Sequence, residues 1–540
     1  MFEKTIVKGR GIKVLAKTFT LPNVQVGSII EYFYTLSMTE NQLFDSHWIL
    51  SDELFTKHAK FTLKPFSSTY QQFTCRWTWQ GLPPGTETPK QGPDKIVRLD
   101  VGNIPAFQTE DFMPPENELK SRVDFIYTEG IVESAPDKFW KARGKKLNDQ
   151  VESFIGKRKA MEQAVAQIVS PSDSSEAKLQ KVYARVQQVR NTSYEVEKTE
   201  QEKKRENQKD LNNVEEVWKR GYGDGRQITW LFLALARAAG FEAYPVWVSD
   251  RRNYFFKPNM MNDRELDENI VLVKLNGKDV FCDPGSAFTP LGLLPWPETG
   301  VPGLRLDKDG GAWISTMLPE STESRVERKA SLRLADTGDL EGTLTMTFTG
   351  LEASSRRVEE RNADDEARKK SLEDEVRSYV PAGIEVDLTN KPDWNSSART
   401  LVAEYHLKVP GWASGAGRRA LVPVGLFSGT EKHVFEHANR VHSIYFEFPF
   451  QLADDVTIDL PLGWQVNSLP KESKEDQHVV VYSMKAADDK GTLHIERMLN
   501  VDILGLDVKY YPALRHFFQV VKTGDEQQVV LQPGTGAARN

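Results

Sequence analysis

The 540-residue sequence predicts an α+β multidomain chain. Three observations carry that expectation. Residues near both ends alternate apolar and polar with a period of two, as half-buried strands do. The stretch from about 136 to 240 repeats its apolar residues at helical spacing. Between them, Asn276-Gly277 separates two apolar runs, the strongest short signal for a hairpin.

Residues 1–130 read as a β-sandwich-like domain. In Gln72–Gln80, Phe73, Cys75, Trp77 and Trp79 fall on one face and Thr74, Arg76 and Thr78 on the other. Ser28–Leu36 and Lys57–Leu63 are further strand candidates. Leu82-Pro83-Pro84-Gly85 and Met113-Pro114-Pro115 mark turns. From Pro136 the pattern turns helical. Ser170-Pro171-Ser172-Asp173 breaks it, and Leu179, Val182, Tyr183 and Val186 resume it. Lys198–Asp210 is a run of mixed charge, read as a solvated segment or a lid over a cleft. Gly225–Ala239 predicts an apolar helix stopped by Gly240, and Glu242–Ser249 a strand. Asn269–Leu275 and Lys278–Cys282 predict the two arms of the hairpin. Beyond Glu323 the chain is strand-rich, with one charged helix over Ser354–Tyr379. The expected division is 1–130, 131–322, 323–430 and 431–533, with a disordered tail at 534–540.

Composition narrows the function classes. The net charge is −7 and the pI about 5.9, so no basic face for nucleic acid is expected. No run of eighteen apolar residues occurs, so no membrane span is expected. The N-terminal stretch has charges throughout and lacks the apolar core of a signal peptide. It begins directly in strand-like alternation, which suggests that sequence upstream is missing. The two cysteines, Cys75 and Cys282, make no disulfide framework.

The segment Gly221-Tyr222-Gly223-Asp224-Gly225-Arg226, followed by an apolar helix and a strand, carries the one specific resemblance. It resembles the transglutaminase-like superfamily, which reads Gly-Asp-Cys here. The whole chain resembles bacterial members in which a β-rich domain of unknown function precedes a transglutaminase-like (papain-like) core and a C-terminal β-rich domain. NIPAFQTEDFMPPENE and IDLPLGWQVNSLP add to the likeness. The resemblance implies a helix-terminal cysteine nucleophile, a histidine base and an orienting aspartate. Matched by position, these fall at Gly225, Glu268 and Asp283. Glycine offers no nucleophile, and no histidine lies between His58 and His406. The resemblance therefore implies a degenerate triad. Hairpin register supports the mapping. With Asn276-Gly277 as a two-residue turn, Ile270 pairs with Asp283, and Glu268 is its diagonal neighbour on the same face. Cys282, next to Asp283, then points the other way, into a core.

The resulting expectation is a non-catalytic protein that uses the former substrate groove for binding or assembly. Asp224, Arg226, Tyr254 and Phe255 are the candidate groove residues, and a protein, peptide or glycan is the candidate ligand. No cofactor is expected. The resemblance also implies an exported, periplasmic setting. Two other classes remain open. One is a hydrolase in which Glu268 and Asp283 act as acid and base, against the plainer reading of Glu268 as a hydrophilic replacement in a solvated groove. The other is a structural scaffold whose groove is plugged, for example by Arg226 or Trp230. His433-Val434-Phe435-Glu436-His437 matches the H-x-x-E-H zinc pattern, with His442 nearby, but sits in a strand-rich context. Gly415-Ala416-Gly417 lacks the Lys-Ser/Thr of a phosphate loop and reads as a plain loop.

Overall fold

The computed structural model describes the chain except residues 1, 10–11, 19, 36–42, 44–45, 131–132, 134, 196–208, 381–382, 430–433 and 535–540; for residues 2–18 it describes backbone alone. The fold is α+β and multidomain.

After an N-terminal hairpin, two three-stranded antiparallel sheets form the first domain. One joins His47–Ile49, Arg122–Glu129 and Phe73–Gln80; the other joins Thr56–Leu63, Val97–Ile104 and Lys90–Gln91. Val97, Leu99, Val101, Val123 and Phe125 bury their alternate side chains between them. On Phe73–Gln80, Cys75 and Trp77 pack against this core, whereas Trp79 at the end of the same face is 43% exposed. Ser28–Thr35 is not a strand, contrary to its alternation. It lies open, with Ile29 and Phe33 almost fully exposed, and pairs with no sheet; Leu36 is outside the described residues.

The middle of the chain is built around the core helix Gly225–Ala238. Nine of its residues from Ile228 to Ala236 are buried, an apolar surface on all sides that only a central helix can satisfy. Helices Pro136–Ile155, Arg158–Ile168, Ser175–Val186 and Val214–Arg220 pack around it. A five-stranded antiparallel sheet covers another side, in the order Lys278–Cys282, Glu268–Leu275, Glu242–Val248, Pro302–Arg305, Ala312–Ser315. Its pleat divides two cores: Val271, Val273 and Cys282 join the helix cluster, and Ile270, Leu272 and Phe281 the opposite one.

The last third departs from the expected division. Segments 323–430 and 431–533 do not form separate sheets. An eight-stranded sheet runs through both, because Arg325–Leu334 pairs in parallel with Phe450–Asp459. One hydrophobic cluster, from Val326 to Leu531, serves both segments. The charged helix resolves into two, Gly350–Glu359 and Asp365–Tyr379, interrupted by a 3-10 turn at Glu360–Asn362. A further amphipathic helix, Tyr511–Asp525, buries Leu514, Phe517, Phe518 and Val521. Among the described residues no helix is long and apolar enough to cross a membrane.

Candidate functional site: a carboxyl-lined groove at the start of the core helix

The core helix begins where its sequence supplies a complete cap. The Asp224 carboxylate accepts from the Gln227 N–H at 2.8 Å, and the Gln227 side-chain oxygen accepts from the Asp224 N–H at 3.1 Å. Asp224 is thereby committed to holding the helix end. The Gly225 N–H donates to Ser193 Oγ at 2.9 Å.

The hairpin forms in the expected register. Leu275 pairs with Lys278 and Val271 with Cys282. Asn276 and Gly277 take φ of 51° and 78°, the left-handed values that a two-residue type I′ turn needs at both positions. Extending the register by one pair sets Asp283 opposite Ile270, so Glu268 and Asp283 lie at the same end of the hairpin. There the chain leaves the sheet, and the Asp283 carboxyl meets the core helix. Its Oδ1 accepts from Gly285 N at 3.0 Å, Ser286 N at 3.2 Å and, at 3.4 Å, Thr229 Oγ1. Thr229 Oγ1 also donates to Gly225 O at 3.0 Å. Backbones approach closely here. A Cβ added at Gly285 would lie 2.4 Å from Gly225 O, and one at Gly225 would lie 3.1 Å from Gly285 O.

Gly225, Glu268 and Asp283 all line one groove of about 730 Å³. The helix Gly350–Glu359 of the C-terminal region supplies another wall, through Ser354, Ser355, Val358 and Glu359. Glu268 is half-buried, and its carboxyl is pushed up to about 7, first by burial and then by the charges of Asp283, Asp267 and Asp250. Burial also raises Asp283, against hydrogen bonds that hold it down. Cys282, fully buried in the helix cluster, has its thiol pushed up to about 12 by burial, which suits packing and not nucleophilic chemistry.

Glu298 lines the same groove and was not legible in the sequence. It ends a short 3-10 turn, Trp296–Glu298, in a Pro-rich segment with no periodicity to aim it. Its side chain is buried, and Oε2 has no hydrogen-bond partner. Burial raises its carboxyl well above the usual range, and Asp283, Glu268 and Asp250 add to the rise.

Other expected groove residues take different places. The Arg226 guanidinium lies over the Trp247 ring, 5.9 Å from its centroid, at the groove edge. Trp230 is buried against Phe154 and lines a separate depression, so it does not plug the groove. Tyr254 and Phe255 do not line the groove either. Tyr254 Oη donates to Asp267 at 2.8 Å, and Phe255 packs on Tyr445 of the C-terminal region with its N–H on Glu118. Both line a separate depression beside the first domain, with Thr78, Arg122 and Asp124. The H-x-x-E-H pattern forms no helix over its described residues. Val434–Phe435 is a turn, Glu436 and His437 are exposed and non-helical, and His433 lies outside the described residues. Glu436 contacts Lys522, and among the described residues no three ligating side chains gather as a metal site. His442 instead stacks on Phe107 and hydrogen-bonds Gln108 O. The charged run at 198–208 is likewise outside the described residues.

Two segments match known families. Residues 15–108 match a domain of unknown function with a solved structure, DUF3857, and residues 418–531 match a second, DUF3858. No curated protein matches the sequence. Among solved structures, a "putative protease" from Parabacteroides distasonis is similar with a TM-score of 0.50 and 10% identity, covering 90% of this chain and 74% of that one. A "putative cysteine protease" from Cytophaga hutchinsonii is similar at a TM-score of 0.19 and 10% identity, over 44% of this chain and 73% of that one. At such identity the first likeness speaks for the fold alone.

Proposed function

We propose that this chain is a transglutaminase-like protein without cysteine chemistry, which uses the groove at Gly225 to bind a peptide, protein or glycan. The observation that carries it is the open groove itself. Its helix-terminal position is glycine, its base position is Glu268, and only Asp283 keeps the residue type the family resemblance expects. The close approach of Gly285 O also leaves little room for a side chain at 225. A structural scaffold would fill such a groove, and neither Arg226 nor Trp230 does.

The test has two arms. Transamidation and peptide-amide hydrolysis assays should show no activity. An activity that iodoacetamide abolishes would overturn the proposal. Peptide and glycan arrays should give ligands whose binding is lost in Ser355→Trp, which fills the groove from its helical wall. Unchanged binding in that variant would place the ligand elsewhere.

One observation favours a second reading. A Glu268 carboxyl near 7, beside Asp283, suits acid–base work at neutral pH. A hydrolase of this kind would show iodoacetamide-resistant activity that Glu268→Gln removes.

A further inference from the structure

Seven carboxyl side chains line the groove, against three guanidiniums. Each guanidinium makes at least one contact outside the seven carboxyls, although Arg361 Nε is buried without a partner. Arg252 pairs with Asp250, Arg361 donates to Val358 O and lies over Tyr194, and Arg226 lies over Trp247. None of the seven carboxyls forms a salt bridge among the described residues. An uncompensated acidic cluster is ordinary on a solvated surface. Glu298 makes this one different. The residue is 3% exposed, lines the groove, and leaves Oε2 with no partner. A buried polar atom without a partner is destabilising, and more so when charged. The position is also rigid. Glu298 O accepts from Thr316 Oγ1 at 2.6 Å, and the next residue, Thr299, receives two hydrogen bonds from the Arg251 guanidinium. The backbone that carries the unpartnered carboxyl is therefore fixed at the groove wall.

We infer that the groove takes a cationic side chain of a peptide, a guanidinium or an ammonium, seated against Glu298 and Glu268. The inference rests on the groove being a binding site and names the chemistry of its ligand. A cation satisfies the orphaned Glu298 oxygen and favours the ionised forms of Glu268 and Glu298, which burial and their acidic neighbours disfavour in the empty groove. The described carboxyls do not gather as a metal site, whereas an organic cation needs only two or three acceptors. The groove volume holds more than one side chain, so a peptide flanking the cation fits as well.

The charged groups facing Glu298 are Asp283, Glu268, Asp250 and Arg252. Glu268 and Asp283, both raised by burial, lose negative charge as pH falls, while a guanidinium keeps its charge. Binding should therefore weaken at low pH.

Calorimetric titration of the full chain with acetyl-arginine amide, acetyl-lysine amide and neutral acetyl-citrulline amide tests this. The expected result is saturable binding of the two cations at pH 8, at least about tenfold weaker at pH 5, with citrulline inert. Glu298→Gln and Glu268→Gln should each weaken binding at least about tenfold. Both changes keep side-chain shape, and thermal melts check that the variants fold. Equal binding of citrulline, an unchanged affinity in folded Glu298→Gln, or no binding of either cation would overturn the inference. Should neutral peptides bind wild type and not Ser355→Trp, the cation fails and the groove reading stands. Should neither kind bind, both fall.

Discussion

The carboxyl of Glu268 ionises at a cost, because the native groove is half-buried and already negative. Its native value near 7, against an ordinary 4.5, means that the native chain holds a proton the unfolded chain has released. Stability contributed by that proton is full below about 4.5 and is lost as pH rises toward 7. Burial acts on Glu298 in the same direction. Replacing both by glutamine removes the ionisation. We expect the Glu268→Gln, Glu298→Gln double variant to lose less stability than wild type between pH 5 and pH 8, by about 1–3 kcal/mol. Urea melts at the two pH values measure the difference, and parallel losses in both proteins would contradict it. Gly285 is the other sensitive residue. Alanine there would press a methyl onto Gly225 O and Thr229 Oγ1, at 2.4 and 2.5 Å. The loop must then retreat from the core helix, for an expected loss of about 1–3 kcal/mol in a denaturant melt.

At the scale of elements, the hairpin sets the site. Its turn places Glu268 and Asp283 at one end, and a one-residue slip would reverse one arm. Gly277 has φ of 78°, which a β-branched residue resists. Gly277→Val should cost about 1–2 kcal/mol, read from thermal and urea melts. A cost near zero would mean that the turn had changed type. This element was legible in the sequence because its determinants are local: Asn-Gly, flanked by Val271, Leu272 and Val273 on one arm and Val280 and Phe281 on the other. The core helix was legible for the same reason, as an apolar run stopped by Gly240. Tyr254 and Phe255 were not, because loop aromatics give no sign of whether they face a groove or a neighbouring domain. Glu298 was also hidden. Only its burial, beside carboxylates brought in from other segments, makes its carboxyl exceptional. The strand expected at Ser28–Leu36 shows the opposite limit, since alternation alone does not provide a partner edge.

At the scale of the whole molecule, the C-terminal half depends on a pairing that no local signal announces. Arg325–Leu334 lies parallel to Phe450–Asp459, more than a hundred residues away, and this contact joins two four-stranded halves into one sheet. Charge marks the seam. Arg328 and Asp454 are register partners, and both side chains are buried, with Arg328 Nε donating to Asp454 Oδ1 at 2.6 Å. Arg328 also donates to Phe427 O and lies over the Tyr379 ring. Behind the seam, Arg497 makes a two-pronged contact with Asp525 on the last helix, which in turn accepts from Tyr482 Oη. Such pairs add little over apolar packing, but breaking one leaves a buried charge uncompensated. Asp454→Ala should therefore destabilise the C-terminal half by about 3–5 kcal/mol. Asp454→Asn, which keeps an acceptor for Arg328, should cost less. The helix Gly350–Glu359 rests on this sheet and walls the groove, so the damage should reach the site. Hydrogen exchange would report it, with protection lost first across 325–334 and 450–459 while the core helix Gly225–Ala238 stays protected. Uniform loss across the chain would show instead that the two halves unfold as one unit.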